Sequence, residues 1–285
     1  MKKLLPLSIV KMSGAGNTFA LIDARKNSNW HDVEKTLGKS RAEFAKLVCD
    51  PVLGLSTDGF LLIEDGAEGF DYNWDFYNSD GSTAEMCGNA ARCAARFCYE
   101  YLGRPAEAAS LRFRTGAGLV TANVLGDDEV RVQMPPARFV KEVIELLTHS
   151  RGLQKFALVN TGVPHLVQKI KNLSDSVELK EMAREARSHA DLKPAGANVT
   201  FYAENSQGHI DAVTFERGVE DFTLACGTGA VAAAYVYSAL SSQKHVKVQM
   251  PGGLLSVDFE GGVSPLMTGG AVFVGEFKYN LEVVG

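Results

Sequence analysis

Cysteine is scarce in this 285-residue chain, with only Cys49, Cys87, Cys93, Cys98 and Cys226. An odd number in a chain of this length argues against a disulfide framework. A structural zinc site is also unsupported, because only Cys93 and Cys98 approach pair spacing and no second pair completes them. Those two lie in an Ala-rich helical run and, like Cys49, read as small buried hydrophobes. Excess charge is missing too: 29 basic residues against 34 acidic ones leave a net charge of −5. With no basic stripe and no interleaved aromatics, nucleic acid is not an expected partner. Long hydrophobic runs are absent as well. The most apolar later stretch, from Ala230 to Leu240, is far short of the ~20 residues a bilayer span needs. The opening MKKLLPLSIVKM imitates a secretory signal only briefly, since Lys11 interrupts the run from Leu4 to Val10 and no small-residue cleavage site follows. A cytoplasmic protein making no membrane contact is expected. What is present, 46% hydrophobic and 22% charged residues, is ordinary for a globular protein, and the length suggests two domains of roughly 130 to 150 residues.

The chain repeats itself. Residues 87–98 read CGNAARCAARFC and residues 226–237 read CGTGAVAAAYVY. Each segment begins Cys-Gly, passes a polar residue and enters an Ala-rich helix-forming stretch. Each follows strand-like sequence and a polar turn, Phe76 to Gly81 before the first and Val213 to Gly218 before the second. The first helix should stop at Gly103 and the second near Ser241. Each unit then runs into β-rich sequence, Leu111 to Met134 and Val246 to Phe259, and the segment around Pro135-Pro136 reads as the crossover. These features predict two related domains, each a curled sheet wrapped on a mostly apolar central helix. The stretch Val177–Leu192 reads as an amphipathic surface helix.

Two cysteines at two helix N-termini suggest a chemistry. Inverting the α-carbon of an amino acid requires removing a proton from one face and delivering one to the other, which a thiolate and a thiol can do together. A helix N-terminus supplies unpaired N–H groups and about half a positive charge, both of which favour a thiolate. The same N–H groups suit a substrate carboxylate and the charge that builds on it as the α-proton leaves. Gly88-Asn89 and Gly227-Thr228 are therefore expected to hold that carboxylate.

Further motifs extend the pattern. KMSGAGNTF at 11–19, YNSDGSTAEMCGNAARC at 77–93, NTGVPHLV at 160–167, ANVTF at 197–201, FERGVEDFTLACGTGA at 215–230, PGGLLSV at 251–257 and TGGAVFVGEF at 268–277 occur in that order. Together they resemble the diaminopimelate epimerase family, the two cysteine motifs being the most specific. The resemblance implies an α+β fold of two pseudo-symmetric domains, each a mainly antiparallel, barrel-like sheet around a central helix. It implies 1–133 with 272–285 as one domain and 134–271 as the other, since the last strand in the family returns to the first domain. It also implies an active site needing neither metal nor pyridoxal cofactor, interconversion of LL- and meso-diaminopimelate for lysine and peptidoglycan synthesis, and a homodimer.

Carried over position by position, Cys87 and Cys226 are the base and acid. His165 and Glu216 are expected to tune the thiols, and Asn17 to contact substrate. Asn78 and Asn198 would reach the distal end of the substrate. Glu216 and Arg217 match a Glu-Arg pair, with the arginine suited to a second carboxylate. Departures bear on that distal end: Val163 stands where many members have Asn, Asp58-Gly59 where some have Gln, and Phe222 where Glu is common. One extra residue also separates Glu216 from Cys226. Val163 and Phe222 are expected to make the pocket less polar, which keeps open a related two-cysteine racemase with another amino-acid substrate. A catalytically silent binding protein and a thiol-redox protein remain as readings from other classes.

Overall fold

A computed structural model of the chain describes residues 2–103, 109–173 and 177–284. It comprises two compact units, Met1–Val132 with Gly270–Gly285 and Gln133–Gly269. In chain order, the first unit holds strands β1 (Lys2–Gly14) and β2 (Asn17–Asp23), helices α1 (Trp30–Leu37) and α2 (Arg41–Cys49), and strands β3 (Gly59–Asp65) and β4 (Tyr72–Asn78). Helix α3 (Gly88–Arg96) follows, then β5 (Ser110–Thr115), β6 (Gly118–Gly126) and β7 (Glu129–Gln133). The second unit starts with β8 (Arg138–Thr148), β9 (Gly152–Asn160), β10 (Pro164–Lys169), helix α4 (Val177–Arg187) and β11 (Asn198–Glu204). It continues through β12 (Ile210–Glu216), β13 (Asp221–Thr223), helix α5 (Gly227–Ser241), β14 (His245–Met250), β15 (Gly253–Asp258) and β16 (Leu266–Gly270). The last strand, β17 (Val272–Val284), belongs with the first unit.

Strand pairing shows how far the internal echo extends. In the first unit the order is β17-β1-β2-β3-β4-β5-β6-β7, antiparallel except at β2/β3 and β4/β5. In the second it is β8-β9-β10-β11-β12-β14-β15-β16, antiparallel except at β10/β11 and β12/β14. The two orders match position for position. A parallel pair cannot be joined by a tight turn and needs a crossover. At the first parallel step the crossovers carry α1 and α2 in one unit and α4 in the other. At the second they carry α3 and α5, the two cysteine helices, which therefore occupy equivalent places.

Each sheet curls around its helix. Helix α3 packs against β1, β2, β3 and β6, yet β1 and β6 are separated by four intervening strands. A flat sheet would hold them ~24 Å apart, more than twice the ~10 Å width of a helix. Helix α5 likewise packs on strands from β9 through β15. Among the described residues the edge strands of each unit do not pair with each other, so the expected barrel stays open. The outer faces are covered separately. Trp30 of α1 and Phe44 and Val48 of α2 pack on Leu7, Ile9, Ala20, Ile22, Phe60 and Leu62, and α4 buries Leu179, Met182, Ala183 and Ala186 against the second sheet. A capping box between Ser40 and Glu43 starts α2.

Local signals set most boundaries. β1 and β2 turn through Ala15 and Gly16, both at positive φ (52° and 93°), the conformation a two-residue hairpin of this twist requires. Helix α3 passes into a π-helical turn, Phe97–Tyr101, and stops before Gly103, while α5 stops at Ser241. The helix expected over Val177–Leu192 is divided. His189, at φ −55° and ψ 146°, leaves the helical region and caps a separate 3₁₀ turn, Ala190–Leu192. Among the described residues no helix is long and apolar enough to cross a membrane.

Candidate active site

Both motif cysteines are N-cap residues in extended backbone. Cys87 precedes α3 with φ −140° and ψ 124°, and Cys226 precedes α5 with φ −126° and ψ 106°. Neither side chain caps its helix, unlike the Ser, Thr, Asp or Asn usual at this position. The N–H groups of each first turn are thus not taken by the N-cap side chain and can serve an anionic ligand. Cys87 is half-buried and Cys226 is 5% exposed. The other three cysteines are buried, and burial pushes Cys49 up to about 11 and Cys93 up to about 12. Their reading as inert packing groups fits that environment.

In the first unit, Gly88 and Asn89 form the first turn of α3. Asn89 Nδ2 donates to Asn17 Oδ1 at 2.5 Å, and Asn17 is delivered there by the Ala15-Gly16 turn. Gly14 carries no side chain because a Cβ there would stand 2.8 Å from the Asn89 carbonyl. The sequence reading missed Arg92. Its side chain is fully buried, and its guanidinium donates to Asn89 Oδ1 (2.8 Å), Gly88 O (3.4 Å) and Gly270 O (3.2 Å). Burial pushes the Arg92 pKa down from its ordinary value, opposed by the neighbouring Cys93 and Cys87 thiols. Asn78, at the end of β4, is exposed and bonds Ser82 Oγ through Nδ2 (3.0 Å).

The second unit gathers more groups. His165 is fully buried, with Nδ1 3.0 Å from Thr200 Oγ1 and Nε2 3.0 Å from Thr228 Oγ1. Thr228 Oγ1 in turn lies 3.5 Å from Cys226 Sγ. Burial, reinforced by the positive charge of Arg217, pushes His165 down to about 3, so its ring is neutral. Asn198 accepts from the Arg217 backbone N–H through Oδ1 (2.8 Å) and turns Nδ2 toward His165 Nε2 (3.4 Å). Glu216 accepts from Thr223 Oγ1 at 2.5 Å and is hydrogen-bonded by Cys226. Burial raises the Glu216 pKa and those two bonds oppose the rise. Arg217 is exposed, and its Nη1 donates to Ala195 O at 3.0 Å. Helix α5 approaches β12 so closely that a Cβ on Gly229 would fall 2.2 Å from Thr214 Oγ1.

The registers align the two half-sites. Phe19, Gly59 and Asn78 form one row across β2, β3 and β4; His165 pairs with Asn198, and continuing the β11/β12 register one step past Val199↔Phe215 sets Glu216 opposite Asn198 in the matching row. Equivalent positions thus carry Phe19 in place of His165, Gly59 in place of Asn198, and Asn78 in place of Glu216. Gly59 is explained locally, because a Cβ would stand 2.7 Å from the Phe76 ring. Phe222 corrects an expectation. It packs edge-on against Phe201 and Phe215 in the outer core beneath α4, and its strand neighbour Thr223 reaches Glu216. Alternation along β13 sends Phe222 to the opposite face from Thr223, so it does not make the site less polar. The turn from β12 into β13 runs through Arg217 to Glu220, where Glu220 adopts φ 59°. Val163 is half-buried and its carbonyl accepts from Thr161 N (3.1 Å).

Among the described residues one cluster has metal-binding composition: His245, Asp258 and Glu260, at the start of β14 and the end of β15. It is partly exposed, and each ring nitrogen already faces a carboxylate at 3.3 Å.

Comparison with known proteins follows the same lines. The family described as diaminopimelate epimerase matches residues 9–140 and 157–274. The chain is 38% identical over 281 residues to the diaminopimelate epimerase of Aquifex aeolicus, covering 96% of this chain and 98% of that protein. It is 38% identical over 257 residues to that of Hydrogenobaculum sp., covering 88% and 91%. In three dimensions it is similar to a hydroxyproline epimerase from Agrobacterium vitis (TM-score 0.72, 18% identity, 99% of this chain and 94% of that one). A PhzF-family phenazine biosynthesis protein from Bacillus anthracis gives a TM-score of 0.72 at 15% identity, over 96% and 99% of the two chains. At such identities the structural likeness speaks for the fold alone.

Proposed function

Because the chain belongs to the diaminopimelate epimerase family, we propose that it interconverts LL- and meso-2,6-diaminopimelate by passing the α-proton between two thiols, Cys87 and Cys226. The observation that supports this reading best is the duplication: two cysteines at the N-caps of two topologically equivalent helices. One thiolate removes the α-proton and becomes a thiol. The other thiol delivers a proton to the opposite face and becomes a thiolate, so charge and atoms balance and solvent exchange restores the starting pair. The first-turn N–H groups of Gly88-Asn89 and Gly227-Thr228 bind the substrate carboxylate and stabilise the charge that develops on it.

The remaining roles follow from what each side chain touches. Asn17 and Asn89, bonded to each other, present an amide pair beside Cys87. Neutral His165 orients Thr228, and Glu216 orients and buffers Cys226. Asn78, Asn198 and Arg217 reach the distal amino-acid head of the substrate, where the arginine reads its carboxylate. The protein acts in the cytoplasm as a homodimer, with no bound cofactor taking part in the proton transfer.

The test is proton NMR of the reduced protein with LL-diaminopimelate in deuterium oxide. Loss of the α-proton signal with appearance of the meso isomer is expected, and both are absent in Cys87→Ala. No exchange with this substrate, but exchange with another amino acid from a panel, would replace the substrate and keep the chemistry. Exchange undiminished in Cys87→Ala would overturn the two-thiol mechanism.

A further inference from the structure

The two half-sites share a topology and differ in charge. We propose that Arg92 and Glu216 make them electrostatically unequal, so that in the substrate-free protein the negative charge of the thiol pair resides on Cys87 while Cys226 holds the proton. This rests on the two-thiol reading and adds to it the resting state of each thiol and a positioning role for Arg92.

On the Cys87 side, a buried cation interacts with the thiol. Arg92 stands five residues after Cys87 in α3, and its guanidinium is fully buried and tied to the Gly88 carbonyl. The equivalent position after Cys226 is Val231, so the cation has no counterpart in α5. A buried guanidinium is poorly screened by salt, and an opposite charge close to a thiol favours its thiolate. Of the other groups on this side, Cys93 is held neutral by burial, Asn17 and Asn89 are amides, Arg96 one turn along is paired with Glu100, and the carboxylate of Glu85, two residues before Cys87, is exposed to solvent that screens it. Arg92 also fixes the amide pair. With Asn89 Oδ1 accepting from the guanidinium, Asn89 Nδ2 must be the atom that donates to Asn17 Oδ1. That leaves Asn17 Nδ2 as a donor.

On the Cys226 side, the hydrogen-bond directions follow one from another. The Arg217 backbone N–H donates to Asn198 Oδ1, so Nδ2 is the Asn198 atom that faces His165 Nε2. Nε2 is therefore the acceptor nitrogen of a neutral ring, and Nδ1–H donates to Thr200 Oγ1. Thr228 then donates its hydroxyl proton to Nε2 and offers only a lone pair to Cys226 Sγ. The second neighbour, Glu216, is a carboxylate that already accepts from Thr223. Two acceptors around one sulfur favour S–H. The cation closest in sequence, Arg217, is exposed and bonded to the Ala195 carbonyl, so solvent weakens its field at the thiol.

The experiment measures the rate of iodoacetamide alkylation of each cysteine against pH, mapped by peptide mass spectrometry on the substrate-free, reduced protein. Accessibility scales the plateau of each profile while ionisation sets its midpoint, so different exposures do not confuse the comparison. The Cys87 midpoint is expected at least about one pH unit below that of Cys226. Arg92→Met should raise the Cys87 midpoint alone, and Glu216→Gln should lower the Cys226 midpoint alone. Arg92→Lys keeps the charge and covers the case in which Arg92→Met does not fold. It should leave the Cys87 midpoint near that of the wild type, even where epimerisation slows because Asn89 and Asn17 lose their alignment. Coincident or reversed midpoints in the wild type would overturn the proposal, as would a Cys226 midpoint unmoved by Glu216→Gln, a Cys87 midpoint unmoved by Arg92→Met, or a Cys87 midpoint raised by Arg92→Lys. No substrate is involved, so failure of this ordering is separate from failure of the epimerase assay.

Discussion

Gly229→Ala offers a sharp test of how α5 is seated. On helix propensity alone the change should stabilise the protein by about 1 kcal/mol, because alanine is the better interior helix former. The structure predicts the opposite sign. A Cβ on residue 229 would meet Thr214 Oγ1 at 2.2 Å, and Thr200 Oγ1 and Thr214 Cβ at 3.2 Å. Both hydroxyls are buried and hydrogen-bonded to each other at 3.0 Å. Overpacking of this kind costs about 1–3 kcal/mol, and breaking the buried hydroxyl pair adds about 1–3 kcal/mol. After the propensity gain, a net loss of about 1–5 kcal/mol is expected. Both tryptophans, Trp30 and Trp74, lie in the first unit, so their fluorescence reports poorly on this event. Urea unfolding followed by hydrogen exchange of α5 and β12 amides would read it directly. Removing the obstructing oxygen should recover part of the loss, so that Thr214→Ala and Gly229→Ala combine to less than their sum by about 1 kcal/mol. Displacement of Cys226 with its helix should also lower kcat on the order of ten- to a hundredfold. A Gly229→Ala protein that is more stable than the wild type, or strict additivity of the pair, would refute the packing argument.

Two other outcomes can be checked with the same material. His165 is neutral in the folded protein, with its pKa pushed down from 6.5 to about 3, so the unfolded chain binds a proton first as pH falls. The stability this group contributes is therefore fully present above about pH 6.5 and is lost progressively as pH falls toward 3. The loss should be about 2 kcal/mol by pH 5, and urea midpoints of His165→Gln should show a shallower pH dependence over that range; an unchanged slope would place the acid sensitivity elsewhere. At pH 8, Cys49 and Cys93 should resist alkylation in native protein and react only after denaturation, because burial holds both as thiols; rapid native labelling of either would contradict their packing role.

Much of the local architecture is legible in the residues themselves. The Cys-Gly starts, the Ala-rich runs and the stops at Gly103 and Ser241 are nearest-neighbour signals, and α3 and α5 fall where those signals put them. Arg92 is the instructive failure. In an Ala-rich helix an arginine ordinarily marks the solvent face, and nothing within the helix says that a sheet curls around that face too. Only the carbonyl of Gly270, far along the chain, supplies the third acceptor that makes burial tolerable. The threonine relay behind His165 was hidden for a similar reason. Thr200, Thr214 and Thr228 read singly as β-formers or a helix-start residue, and become a relay only once β11, β12 and α5 are registered together. Phe222 was misread because its direction depends on the alternation of a three-residue strand whose start is not visible in the sequence.

The pairing of β17 with β1 has a consequence for biosynthesis. Strands from opposite ends of the chain lie side by side, paired from Lys2↔Val284 to Ser13↔Val272 with a register shift between Lys11 and Met12. The strands of the second unit, β8 through β16, are contiguous in the chain and can find one another as soon as they are made. The first unit must wait. Its strand β1 is made before every strand of the second unit, yet one of its two neighbours, β17, follows them all, so while they are made a long strand edge stands without its partner. The half of the protein that carries Cys87 is thus begun first and finished last, and the nascent chain is most exposed to mispairing along that one strand.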